Sequence, residues 1–170
     1  MLIILSGPPA AGKSTIGEKL ALAFPRSVNF SLDDIRHFVK NGYVAPWNDT
    51  EEEGQSTLAT TVAIAMIKQY LAKNFVVIID DVIDDQGVKV YKDQLDEIQA
   101  FLLLPRLKIL KERDARRTPA KQMGSRVEEL YREIAAKKYE LLQIIDSSDQ
   151  APEETVTLIQ NKVEGEDQAG

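Results

Sequence analysis

Two glycines five positions apart, followed at once by a lysine and two hydroxyls, stand in the segment Gly7-Pro8-Pro9-Ala10-Ala11-Gly12-Lys13-Ser14-Thr15. Glycine lets a main chain curl until its N–H groups point inward at an anion, and a helix starting behind the curl adds the positive end of its dipole. In such a cradle Lys13 reaches the β- and γ-phosphates of a nucleotide, while the Ser14 hydroxyl is placed to ligate Mg²⁺. Pro8 and Pro9 stiffen the entry. A turn that merely joined two elements would leave Lys13 at a helix N-terminus, where a cation is unfavourable without an anion beside it.

Carboxylates come next. Asp33 and Asp34 follow Ser27-Val28-Asn29-Phe30-Ser31, and Asp80 and Asp81 follow Phe75-Val76-Val77-Ile78-Ile79. Both pairs therefore stand at the carboxyl end of an expected strand, where open α/β sheets bind ligands. Asp80 fits as the partner of Mg²⁺ or its waters, with Asp81 beside the substrate. Asp33 and Asp34 divide between a functional carboxylate and a helix cap, a task aspartate performs well. Asp84 and Asp85 extend the acidic cluster but lie further from the strand end and suit a solvated turn.

Positive charge is concentrated in Arg106, Lys108, Lys111, Arg113, Arg116 and Arg117, with Lys121 and Arg126 following across a loop that carries Pro119 and Gly124. In a chain of net charge −6 this is the dense basic region. Its functional reading is a lid over about residues 113–126, with Arg113 and Arg117 closing over a transferring phosphoryl group and Arg113 also contacting the nucleotide. The alternative is a solvated face paired with Glu112, Asp114 and Glu128. Residues 41–49 form an irregular connection holding the single tryptophan, Trp47, either a substrate-binding lid aromatic or a residue that packs the loop down. The single histidine, His37, suits a surface position.

These residues need a scaffold. Leu2-Ile3-Ile4-Leu5 and Phe75 to Ile79 are continuously apolar, as strands covered on both faces are. Helical periodicity follows the phosphate loop to about Ala23, stopping before Pro25. It recurs from a capping-box pattern at Thr50-Glu51-Glu52-Glu53 to about Lys73, over about 86–98, from Pro105 to about Arg117, from Ser125 to about Leu141, and from Pro152 to Val163. Short strands are expected at Ser27–Ser31, Ala100–Leu104 and Leu142–Asp146. The pattern predicts a three-layer α/β/α fold with a five-stranded parallel sheet, residues 1–164 forming one domain and 165–170 a disordered tail.

Composition narrows the function. The 170 residues include no cysteine, which removes disulfides, zinc–thiolate sites and thiol nucleophiles. Net acidity opposes a dedicated nucleic-acid binder. No apolar run approaches membrane-spanning length and the N-terminal run lacks a basic lead, so a cytoplasmic location is expected.

The loop Gly7 to Thr15, the Asp33-Asp34-Ile35-Arg36 turn, the Ile78-Ile79-Asp80-Asp81-Val82 strand end, the Glu112-Arg113 to Arg117 lid start and Ile145-Asp146-Ser147 occur in the order found in small P-loop kinases of metabolites and antibiotics. Ile-Ile-Asp-Asp-Val and an aspartate after the second strand resemble chloramphenicol phosphotransferase; Asp followed closely by Arg resembles zeta-toxin-like kinases; shikimate, gluconate and adenylylsulfate kinases share the plan. The resemblance implies the P-loop NTPase fold, sheet order 2-3-1-4-5, ATP and Mg²⁺, and transfer of the γ-phosphoryl group to a hydroxyl of a small acceptor. It also implies a base role for Asp33 and a substrate role for Arg36. In that sheet order Asp80 stands next to Ser14, and Asp33 lies on the order of 10 Å from the phosphate loop. Residues 40–60 match none of these families. A polynucleotide 5′-hydroxyl kinase and a non-catalytic nucleotide-dependent regulatory module are the alternatives, and no Asn-Lys-x-Asp motif supports a GTPase.

Overall fold

The computed structural model describes residues 1–50 and 54–167. Along the chain it runs β1 (Leu2–Ser6), α1 (Lys13–Leu22), β2 (Ser27–Ser31), α2 (Leu32–Arg36), α3 (Gln55–Leu71), β3 (Val76–Asp80) and α4 (Asp85–Lys92). It continues through β4 (Ile98–Leu103), α5 (Leu107–Ala115), a 3₁₀ turn (Pro119–Lys121), α6 (Ser125–Ala135), β5 (Gln143–Ile145) and α7 (Pro152–Asp167).

The strands form one parallel sheet in the order β2-β3-β1-β4-β5, the expected arrangement. Successive side chains of a strand point to opposite faces, and here both faces are covered. Leu2, Ile4, Val77, Ile79, Ala100 and Leu102 pack into a core with α2, α3 and α4. Ile3, Leu5, Ile78, Phe101 and Leu103 pack into a second core with α1, α5, α6 and α7. Two cores explain why the central strands are apolar without alternation.

Several boundaries differ from the sequence expectation. α4 stops at Lys92 instead of continuing to 98, because Ile98 pairs with Leu2 and opens β4. α6 stops at Ala135, not near Leu141: the Asp85 carboxylate accepts the Glu140 and Leu141 N–H groups at 2.7 and 3.2 Å, providing those groups with partners outside a helix. α5 begins at Leu107, with Pro105 just outside it. α7 continues past Glu164 and through Gly165 to Asp167. Of the expected capping box, Glu51 to Glu53 lie outside the described residues; the Asp49 carboxylate accepts the first N–H groups of α3, from Gln55 and Ser56. Positions 168–170 of the expected tail also lie outside the described residues.

Candidate active site

Register brings the strand ends together. Asp80 is level with Leu5 of β1 on one side and with Ser31 of β2 on the other, so the phosphate loop, the Asp80–Asp81 pair and the start of α2 share the carboxyl edge of the sheet. Ser6 holds this edge: its buried hydroxyl donates to the Ile83 carbonyl at 2.6 Å and accepts the Ile83 N–H at 3.0 Å, tying the turn after β3 to β1.

The loop has the conformation its glycines permit. Gly7 has φ 147° and Gly12, the residue before α1, has φ 99°, both in the region side chains avoid. A Cβ on Gly7 would lie 2.4 Å from the Leu103 carbonyl oxygen, so the loop starts in close approach to β4. Lys13 folds over the loop and donates to the Gly7 and Pro8 carbonyls at 2.8 and 3.2 Å. Burial pushes its ammonium below the ordinary lysine value, and Asp80, Asp81 and Asp33 oppose that shift.

Ser14 Oγ donates to Asp80 Oδ2 at 2.6 Å. Asp80 is 4 % exposed, and its Oδ1 is buried without a hydrogen-bond partner. A buried carboxylate oxygen left over beside a hydroxyl is a hard-oxygen donor set, which fits Mg²⁺ that keeps most of its water shell. Among the described residues there is no group of three or more His, Asp or Glu able to hold a metal, so any ion here would draw its remaining ligands from water and phosphate.

At the end of β2 the two neighbouring aspartates separate. The Ser31 hydroxyl accepts the Asp33 N–H at 3.3 Å and Asp34 accepts the Ser31 N–H at 3.4 Å, a capping box that occupies Asp34. The Asp33 side chain stays 63 % exposed and meets Arg36 at 2.8 Å. Arg36 also donates to both oxygens of Asp81, at 2.9 and 3.1 Å, and Asp81 is buried. Burial disfavours the guanidinium charge, but the bonds and charges of Asp81 and Asp33 outweigh it, and Arg36 stays firmly protonated. Arg36 and Asp81, both expected to bind substrate, are thus bound to one another.

The basic region divides as well. Arg113 leaves α5 toward the phosphate loop, donating to the Ala11 carbonyl at 3.3 Å and the Ser147 carbonyl at 3.1 Å. Lys111 and Arg126 turn away to Glu128 and Glu129. Arg117 pairs loosely with Asp114 at 3.4 Å. Asp114 is buried and accepts the Met123 and Gly124 N–H groups, each at 3.0 Å to Oδ2, pinning the far end of the loop after α5 to its near end. Sequence reasoning took Asp114 only for a partner of the basic residues. The available signal was its place four residues after the buried Leu110, on the apolar stripe of α5. Ser6 carried no comparable signal.

Trp47 is 69 % exposed and is not among the residues lining the pocket between α2 and α3. Asp84 and Asp85 have structural work, Asp84 capping α4 and pairing with Lys137 at 2.7 Å. His37 is exposed, against the Tyr43 ring.

A family model described as AAA domain matches residues 2–142, from the start of β1 to the residue before β5. The chain belongs to this AAA domain family. No curated protein sequence matches the chain. Among solved structures it is similar to a sugar kinase from Janibacter sp., at 14% identity and a TM-score of 0.72, covering 94% of this chain and 92% of that one. It is equally similar in fold to the tunicamycin resistance protein of Deinococcus radiodurans, at 19% identity and a TM-score of 0.72 over 95% and 94% of the two chains. A shikimate kinase from Acinetobacter baumannii, solved with shikimate, matches at 21% identity and a TM-score of 0.60 over 97% and 93%. At such identities the likeness is one of fold. No helix among the described residues is long and apolar enough to cross a membrane.

Proposed function

We propose that this protein is an ATP-dependent phosphotransferase that moves the γ-phosphoryl group to a hydroxyl of a small acceptor. The observation that carries the reading is Asp33, a carboxylate left exposed on the strand-end edge that also bears the phosphate loop and the Ser14–Asp80 pair. A nucleotide switch needs the loop and its metal carboxylate but has no use for a second, exposed carboxylate at the acceptor side. The solved kinases of the same fold support the reading.

Each role follows from position. The loop's N–H groups and Lys13 hold the phosphates, and the Lys13 ammonium exchanges its carbonyl partners for phosphate oxygens. Ser14 and Asp80 are the residues that would hold Mg²⁺, which when bound neutralises charge on the β- and γ-phosphates. Arg113, already against the loop, supplies positive charge beside the nucleotide, and Arg117 is available from the lid. Asp33 accepts the acceptor's hydroxyl proton as that oxygen bonds to the γ-phosphorus and the bond to the β–γ bridging oxygen breaks, with ADP leaving. Arg36 holds Asp33 in place. The test is acceptor-stimulated ADP formation with Asp33→Asn: transfer is lost while MgATP binding stays within about twofold of the parent. Full transfer by that variant would remove Asp33 as the base.

A further inference from the structure

α2, the N-terminal half of α3 and residues 38–44 enclose a pocket of about 240 Å³. Its floor is the buried pair Ile35 and Ala59, and its rim is Phe38, Leu58 and Val62, with Phe38 and Leu58 mostly open to solvent. Large hydrophobic side chains gathered and left open mark a binding surface more often than scattered ones do. The volume lies just below the range of ligand cavities, roughly 300 to 1,000 Å³, so it suits a small molecule better than a helix or strand.

Most polar groups of the lining are already engaged, the exception being Arg36 Nε, which is buried without a hydrogen-bond partner. Gln55 gives its Nε2 to the Gly42 carbonyl at 2.7 Å and accepts the Val44 N–H at 2.9 Å. Arg36 spends both terminal nitrogens of its guanidinium on Asp81 and Asp33. An occupant therefore meets mainly hydrocarbon.

Charge then selects the class of occupant. Arg36 faces two carboxylates, so its positive charge is more than offset. Lys40 is bound to the His37 carbonyl at 2.8 Å. The stretch 41–67 contains no lysine or arginine, while Asp49, Glu51, Glu52 and Glu53 contribute four acids. Arg36 is the one cation among the described residues of the lining and is already paired with two carboxylates, so an anionic acceptor would give up its water there without gaining an unpaired charge. Arg36 lines the pocket and bonds Asp33 at 2.8 Å, so the exposed carboxylate stands one side chain away from the lining.

We propose that this pocket is the acceptor site and that it takes a small, predominantly apolar alcohol carrying no negative charge, neutral or cationic, with its hydroxyl toward Asp33. The pocket's role as acceptor site rests on the phosphotransferase reading; its chemistry does not.

The test uses three matched probes: para-methylbenzyl alcohol, para-(aminomethyl)benzyl alcohol and para-(hydroxymethyl)benzoate. Each is titrated into the full chain with and without MgATP, by calorimetry or ligand-observed NMR. The neutral and cationic probes are expected to bind saturably and the benzoate at least about tenfold more weakly. Leu58→Glu should weaken the neutral probe about tenfold, and Leu58→Lys should admit the benzoate, with MgATP binding unchanged in both. Equal binding of the benzoate to the parent, no binding of the neutral and cationic probes, or indifference to both substitutions overturns the proposal. So does concentration-dependent self-association in sedimentation that Leu58→Glu abolishes, since a second copy would then be the occupant. Probe failure with MgATP binding intact refutes the pocket alone. Probe binding without MgATP binding upholds the pocket's chemistry and refutes the phosphotransferase reading.

Discussion

Replacing Gly7 by alanine separates two reasons a phosphate loop needs glycine. The new Cβ would sit 2.4 Å from the Leu103 carbonyl oxygen and 3.3 Å from the Ala11 Cβ. Leu103 cannot retreat freely, because β4 is held by β1 on one side and by the Leu103–Ile145 register on the other. A side chain at φ 147° costs about 1–2 kcal/mol and forcing a packed backbone aside about 1–3 kcal/mol, while the stiffer unfolded chain returns about 0.4–1 kcal/mol. The net loss is about 3 kcal/mol, which for a chain of this size lowers the melting temperature by about 6–12 °C. Gly12→Ala is the control, since φ is again positive, 99°, but the nearest atom, Arg113 Nη1, is 3.9 Å away. Only the dihedral penalty remains there, about 1 kcal/mol or about 2–4 °C. Thermal unfolding of both variants decides the matter: equal melting temperatures, or Gly7→Ala within about 2 °C of the parent, would refute the close-approach argument.

Asp114→Ala leaves the part-buried Met123 and Gly124 N–H groups without their acceptor, at a cost of about 1–3 kcal/mol in urea unfolding, and should increase amide exchange across residues 117–124. A stability change under about 0.5 kcal/mol would show that this carboxylate does not anchor the loop. Lys13 gives a pH dependence with a defined sign. Its folded value lies below the ordinary 10.5, so between the two the unfolded chain holds more protons and the stability of the free protein rises with pH. A bound triphosphate raises that value again, so MgATP binding should be accompanied by proton uptake at alkaline pH, below the ordinary lysine value, as read by calorimetry in buffers of different ionisation enthalpy. Proton release there would reverse the assignment.

The strands and the phosphate loop were legible because their signals are local: apolar runs, glycine spacing, and a lysine at a helix start; the sheet order came only from the resemblance to small P-loop kinases. Boundaries failed where a distant partner decides the matter. Ile98 fits the helical spacing of Val88 and Tyr91, yet pairing with Leu2 draws it into β4. Likewise Asp85 captures the Glu140 and Leu141 amides and ends α6 early. The division of labour between Asp33 and Asp34 needed the Ser31 capping box to become visible. The mutual neutralisation of Arg36 and Asp81, forty-five residues apart, leaves no trace in the sequence. That contact leaves the Arg36 charge paired at the wall of the pocket between α2 and α3.

Every role assigned at the strand ends depends on the loop from Gly7 to Thr15 gripping a triphosphate. Calorimetric titration of MgATP into the folded parent and into Lys13→Ala tests this most directly. Saturable uptake by the parent, weakened by at least about tenfold in the variant, is the predicted result. A folded parent that takes up no nucleotide, or a variant that binds MgATP as tightly as the parent does, would contradict it.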